Sequence, residues 1–323
     1  MKTFSQKFLV LCFAFLSLNG CTNSETEEPE SPTLVSDFTP PNGAGDHEGI
    51  EGPWARRLFG ATSEDGLTWT KTNVLITDQA DVADLAVDDE GRLYLYYYGW
   101  TVGDKENLPA MAISDDNGLT WTFKNMQFEG FPNRGDVSDP NVVYDNGIFQ
   151  LYGSTRDNGQ TYILHGESTD GINFTYKGIA FQPEEGSAGV AAAYKTEDGW
   201  QLLSLASLGF NDGAETGKIW QTFSEDGTSF ELIDTSLFND GKNAYFHGNV
   251  TPFEDGYRLY VFSDQSEGIR SYFSTDGNEW ELEDGFRLTV DEKSGLESGF
   301  LGDPDVVQLK DGTYFMAYST LIP

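Results

Sequence analysis

Asp84, Asp139 and Asp303 each stand at the start of a short apolar run, and Asp139 and Asp303 are each followed by Pro. Carboxylates at matching points of separate segments suit acid–base chemistry or a hard cation, provided the fold brings those points together. Like charges packed that closely raise one another's pKa unless a cation or hydrogen bonds offset the repulsion. His247, Gly248 and Asn249 hold the matching place in a fourth segment, and Ser187 to Ala191 in a fifth. Asp81, Asp136, Ser138, Gly302 and Asp305 lie beside the first three. The competing reading is that these Asp side chains cap loops and accept backbone N–H groups where a strand begins. It is preferred for Asp136 and Asp305; for Asp84, Asp139 and Asp303 both readings stand.

The elements that must carry these residues repeat. Ser63-Glu64-Asp65-Gly66-Leu67-Thr68-Trp69 recurs from Ser114, Ser168, Ser224 and Ser274, serines spaced 51, 54, 56 and 50 residues apart. A fixed period of that size marks a solenoid, propeller or array. Asp-Gly is hairpin chemistry, because Gly accepts positive φ and the Asp side chain bonds nearby N–H groups. The stretch resembles the Asp box of sialidase-like and related β-propellers, where it joins the third and fourth strands of a blade, on the rim.

Between the turns the units parse into strands. Asp81–Lys124, Asp136–Lys177, Gly186–Ile233 and Phe246–Leu282 each read as four strands. The last unit, from Asp303, has only two, and Trp54–Thr70 supplies the complementary third and fourth. Joined, they make one blade and leave no sheet edge open at the closure. The expected fold is all-β: a five-bladed β-propeller over residues 53–323, its last blade made of N-terminal and C-terminal strands together. First strands line the axis of such a ring, so the residues named above converge on one mouth.

Blades opening with Asp-Pro and continuing through Asp-Gly into an aromatic strand resemble the five-bladed glycoside hydrolases of the arabinanase and β-xylosidase type. The resemblance implies a carbohydrate partner and gives Asp84 the place of the general base. It gives Asp139 that of the Asp that tunes pKa, and His247 that of an axial His facing a cation, with calcium the candidate. The third blade departs: Gly186-Ser187-Ala188-Gly189-Val190-Ala191 has no Glu for the general acid. Inverting hydrolysis needs two carboxyl groups ~6.5–9.5 Å apart, one of them protonated. Glu185, with Glu184, and Glu297 are the substitutes considered. Asp303, Asn249 and Trp100 are expected to touch substrate, with Phe131 and Phe246 as further stacking candidates. Arg134 and Arg156 are the guanidinium groups expected nearest the mouth, against the plainer reading of surface ion pairs. A sialidase reading is weaker, because the Arg-Ile-Pro motif is missing and five blades is one too few. The rival function is a non-catalytic propeller that binds glycan or protein on the same face. His165, on a third strand, reads as structural.

Net charge is −34, and −36 without residues 1–20, which contain two Lys and no acid. Such a surface repels nucleic acid and anionic lipid headgroups. Residues 1–20 read as a signal peptide, with Lys2 and Lys7 before the apolar run Phe8 to Leu18. Leu18-Asn19-Gly20-Cys21 resembles a lipobox, which makes Cys21 the lipidated residue and the anchor a lipid rather than a spanning helix. The acidic stretch after it resembles the surface-export signal of Bacteroidetes lipoproteins, implying a site on the outer membrane. Residues 21–52 read as a flexible tether and lead-in. With Cys12 in the leader, the folded part has no disulfide framework, and a monomer is expected.

Overall fold

The computed structural model describes residues 34–132, 137–206, 218–263 and 268–323. The leader, Cys21, Arg134 and Asp136 lie outside them. The described residues form a five-bladed β-propeller. Blade I consists of Ala80–Val87, Leu93–Val102, Lys105–Ser114 and Thr122–Asn125. Blade II consists of Ser138–Asp145, Ile148–Asp157, Gln160–Ser168 and Asn173–Phe181, with Gln127–Glu129 added parallel at its outer edge. Blade III runs through Gly189–Lys195, Trp200–Leu205, Lys218–Ser224 and Glu231–Leu237. Blade IV runs through Phe246–Phe253, Gly256–Phe262, Gly268–Ser274 and Glu281–Leu282, with Leu288–Thr289 also paired to its third strand. Blade V closes the ring as expected: Ser298–Gln308 and Tyr314–Leu321 from the C-terminal end pair onward to Arg56–Ser63 and Trp69–Asp78.

The recurrent turns hold themselves together locally. Each Ser Oγ accepts the N–H of the turn glycine, at 2.8 Å for Gly66 and Gly118 and 2.9–3.0 Å for the other three. The Asp carboxylate accepts the next N–H groups, as Asp65 does from Leu67 and Thr68. Those donors, the Thr68 N–H above all, hold Asp65 below the usual carboxylate range; the Thr228 and Asn278 N–H groups do the same for Asp226 and Asp276. Gly66 has φ 70° and Gly118 φ 84°, a left-handed backbone that glycine adopts without strain.

Neighbouring blades then lock onto these turns. The hydroxyls of Tyr96, Tyr152, Tyr194 and Tyr260 donate to the carbonyls of Gly171, Gly227, Gly277 and Gly66, each in the following blade, at 2.7–2.9 Å. The fifth seam differs, with the Phe315 ring seated directly on Gly118. Aliphatic and aromatic side chains fill the space between blades, among them Leu58, Leu85, Leu95 and Phe315 between V and I. Each such fully buried side chain is worth ~1.5–3 kcal/mol.

One boundary moves. The lead-in is packed rather than free from Val35 onward: the Asp37 N–H donates to Phe123 O at 2.8 Å, and Phe38 is buried against Phe123 in the core of blade I. A single Phe in a polar stretch is enough to dock the segment, because blade I offers it an open outer strand.

Candidate functional site

All five inner strands carry a bulge at the same level. Register slips by one residue between Asp81 and Asp84, Ser138 and Asn141, Gly189 and Ala191, His247 and Val250, and Gly302 and Asp305. At four of the bulges a non-glycine residue takes left-handed φ: Val82 50°, Asp139 49°, Val190 50° and Asp303 46°. For a β-branched residue this is a true outlier costing about 1–3 kcal/mol, and such strain concentrates at functional sites. In blade IV the place belongs to Gly248, where a Cβ would lie 1.8 Å from Pro304 O. The ring of bulges surrounds a cavity of about 30 Å³ lined by Val82, Asp84, Asp139, Val190, His247 and Asp303. Further along the axis the channel widens to an apolar cavity of about 310 Å³ walled by residues such as Val142, Val250 and Val306.

The acidic residues sort into two levels. At the mouth, Asp81 Oδ2 lies 2.5 Å from Arg56 Nη1, and Asp303 Oδ2 lies 3.5 Å from the same nitrogen. Ser319 Oγ donates to Asp303 at 2.8 Å, and Ser138 Oγ to Asp139 at 3.1 Å. Burial, then the charge and shared hydrogen bond of Asp81, push Asp303 well above the usual carboxylate range, against the pull of Arg56 and Ser319. Burial lifts Asp139 to about 6; the Asp81 charge adds to this while the Ser138 and Ser154 hydroxyls oppose it.

Below the mouth, Asp84 is 4% exposed and Asp305 1%. Asp84 accepts the Asn141 amide at 2.7 Å and the Val142 N–H at 2.6 Å. Asp305 accepts the Leu85 N–H at 2.7 Å and the Asn249 amide at 3.3 Å. Burial, then the charge and shared hydrogen bond of Asp305, raise Asp84 well above its ordinary value; burial raises Asp305 to about 6. Asn141 continues the pattern by accepting the Ala193 N–H of blade III at 2.9 Å. Asp84 and Asp305 therefore tie blade to blade. Asp84, expected as the general base, thus lines the cavity while each of its oxygens accepts a hydrogen bond from blade II.

His247 is buried, with Nδ1 2.9 Å from Gly248 O, so that nitrogen carries the proton and Nε2 is left without a partner. Burial lowers its pKa to about 4, so the ring is neutral near pH 7. Among the described residues no group of three or more His, Cys, Asp or Glu is arranged to hold a metal. Calcium prefers a shell of oxygen ligands, and the described residues offer it no such cluster at this level.

The remaining expectations divide. Glu185 is exposed on the loop before blade III and does not line the cavity. Glu297 is buried but fully used by Lys71 at 2.5 Å, the Tyr318 hydroxyl at 2.7 Å and the Asp291 N–H at 2.8 Å. Neither replaces a third-blade acid. Asn249 donates its amide N–H to Asp305 and accepts the Val250 N–H on its side-chain oxygen. Trp100 packs edge-on to Trp54 at 5.3 Å beside His47, two partly exposed indoles next to the strand that carries Asp81. Phe131 is buried on Phe128 and Tyr176, and Phe246 packs on Phe262. Arg156 is exposed at the end of Ile148–Asp157. Among the described residues the guanidinium that reaches the mouth acids is Arg56, supplied by the third strand of blade V and stacked on Phe300 at 4.7 Å. His165 is structural, bonded to Gln150 at 2.7 Å and stacked on Tyr152.

Neither a family model nor a curated protein matches the chain. Solved structures do share its fold. A thermostable family-43 glycoside hydrolase is similar over 75% of this chain and 88% of its own, at 16% identity and a TM-score of 0.59. A structure described as a putative glycoside hydrolase from Bacteroides ovatus covers 76% and 86% at 12% identity and 0.56. An exo-1,5-alpha-L-arabinanase from a bovine ruminal metagenomic library covers 74% and 87% at 15% identity and 0.54. At these identities the likeness is one of fold.

Proposed function

We propose that the axial mouth processes carbohydrate by acid–base chemistry of the glycoside hydrolase kind. Asp139 is the proton donor and Asp81, 2.5 Å from Arg56, is the second carboxyl group. The observation that carries this reading is the pair of carboxyl groups on neighbouring blades in different surroundings. Asp139 keeps its proton to about 6, while Asp81 lies against a guanidinium. Glycoside hydrolysis asks for that division: one carboxyl protonates the leaving oxygen while the other stays charged. Asp303 approaches the same Arg56 nitrogen as Asp81, at 3.5 Å, and Trp100 with Trp54 offers a ring face beside the acids. The fold shared with glycoside hydrolases supports carbohydrate as the partner.

A second reading is favoured by blade III. It brings Ala188, Gly189, Val190 and Ala191 to the mouth and no carboxyl group, and a cavity of about 30 Å³ is the size of a water rather than a sugar ring. On that reading the same face binds glycan without cleaving it.

Reducing-end release from arabinan, xylan, fructan and algal polysaccharides, with Asp139→Asn and Glu185→Gln beside the wild type, separates the two. The expected result is release that Asp139→Asn lowers by about 10²–10⁴-fold and Glu185→Gln leaves intact. The donor must be protonated, so activity should fall as pH rises above about 6. Silence on every substrate, with the protein retarded in a gel containing one of them, replaces the hydrolase by the binding reading.

A further inference from the structure

We propose that the seam between blades V and I is an acid-held clasp. Two stacked carboxyl pairs, Asp81 with Asp303 and Asp84 with Asp305 beneath, close the ring while they share two protons and loosen it when the protons leave. The clasp does not rest on the mouth acting on sugars, because its output is the stability of the ring.

Its parts lie on two adjacent inner strands, Ala80–Val87 and Ser298–Gln308. All four carboxyl groups are withdrawn from water: Asp81, Asp84 and Asp305 are 6%, 4% and 1% exposed, and the Asp303 side chain is 13% exposed. Among the described residues the cation seen against them is Arg56, which reaches both members of the upper pair. The lower pair meets only neutral donors, the Asn141 and Asn249 amides and the Leu85 and Val142 N–H groups. Of the other titratable groups around the cavity, Asp139 is a further acid and His247 is neutral, so neither adds positive charge. Fully ionised, the seam would set four negative charges against one guanidinium; two protons reduce that to two against one.

The orphaned oxygens point the same way. Asp81 Oδ1 and Asp305 Oδ1 are buried and have no donor among the described groups. A buried acceptor left unpaired costs about 1–3 kcal/mol. A proton on Asp303 supplies the first and a proton on Asp84 the second, each shared with the carboxyl it faces. Two carboxylates this close cannot both ionise cheaply. The placement matters because blade V is built from both ends of the domain, and the bond from the Leu85 N–H to Asp305 ties it directly to blade I.

The sign follows from linkage. Protons held more tightly in the folded ring than in the unfolded chain stabilise it fully below the unfolded carboxyl pKa of about 4. That contribution is lost as pH rises through about 6 for Asp305 and through the likewise raised values of Asp84 and Asp303. Urea unfolding of the full chain, wild type beside Asp305→Asn and Asp303→Asn, from pH 4.5 to 8 reads the effect. Asparagine keeps an acceptor and cannot ionise. The ratio of wild-type to variant unfolding constants should rise with pH between about 4.5 and 6.5, by up to about tenfold per unit for one linked proton. A ratio that stays flat overturns the clasp. If neither variant folds, exchange of the Leu85 amide in the wild type decides. Corrected for intrinsic rate, its protection should fall between pH 5 and 8, and protection that holds constant or grows overturns the proposal.

Discussion

At the seam between blades V and I the polar contacts gather at the axis; between III and IV they gather at the rim. The first seam has the Asp305 carboxylate on the Leu85 N–H and two carboxyl pairs, but only a Phe315 ring where a hydroxyl bond would be. The second has Ala192 where its neighbours carry Asp84, Asn141 and Asp305, so no side chain staples it at the axis. It has instead the Tyr194 hydroxyl on Gly277 O at 2.7 Å. A ring must be held at every seam, yet each can be held at either radius. Acid richness at the mouth is thus partly a closure device, and a carboxylate near the axis of such a ring is not a catalytic group by location alone.

Asp305→Ala should break that comparison most. It leaves the Leu85 N–H buried without an acceptor and empties the lower pair, which should cost about 2–4 kcal/mol in urea unfolding at pH 5. The loss should shrink at pH 8, above the value of about 6 to which burial raises Asp305. A loss under 1 kcal/mol at pH 5 would place the hold of this seam in its apolar packing. Tyr194→Phe tests the other seam and removes one buried hydroxyl donor from Gly277 O. A loss of about 1 kcal/mol is expected, indifferent to pH from 5 to 8, since no carboxyl group takes part. A pH-dependent loss there would break the contrast between the two seams.

How far these features could be read from the chain depends on how local their causes are. The blades and their closure were legible because Asp-Gly turns are encoded within seven residues and recur. The mouth addresses of Asp139, Asp303 and His247 follow from the same repeat. The neighbours of Asp84 were hidden by the bulge. Val82 at φ 50° inserts one residue, so Asp81 and Asp84, which an unbroken strand would set on opposite faces, fall on the same one, across from Tyr98 and Tyr96. Nothing in Ala80-Asp81-Val82-Ala83-Asp84 signals left-handed backbone at a valine. Arg56 was hidden for another reason: it belongs to blade V by strand pairing with residues more than 260 positions later, so its reach toward Asp81 is a long-range fact. A hint was available, since the expected composite blade already placed residue 56 in its third strand, beside the second strand from the C-terminal end.

Lys310→Met gives the smallest expected effect. Lys310 also bridges blades V and I, with Nζ donating to the carbonyls of Asp89 and Glu90 at 3.3 and 3.2 Å. Both bonds are exposed at the far end of the axis, where water competes for the same carbonyls and the long side chain gives up rotamer freedom to make them. Their removal should change unfolding free energy by no more than about 0.5 kcal/mol. Placed beside Asp305→Ala, the variant compares two polar ties across one seam that differ chiefly in burial. If Lys310→Met costs as much as Asp305→Ala, the seam is held from its surface, and the buried carboxyl pairs are tolerated by a ring closed elsewhere. If the two differ by the several-fold expected, closure lies at the axis, in groups whose hold depends on the protons they keep.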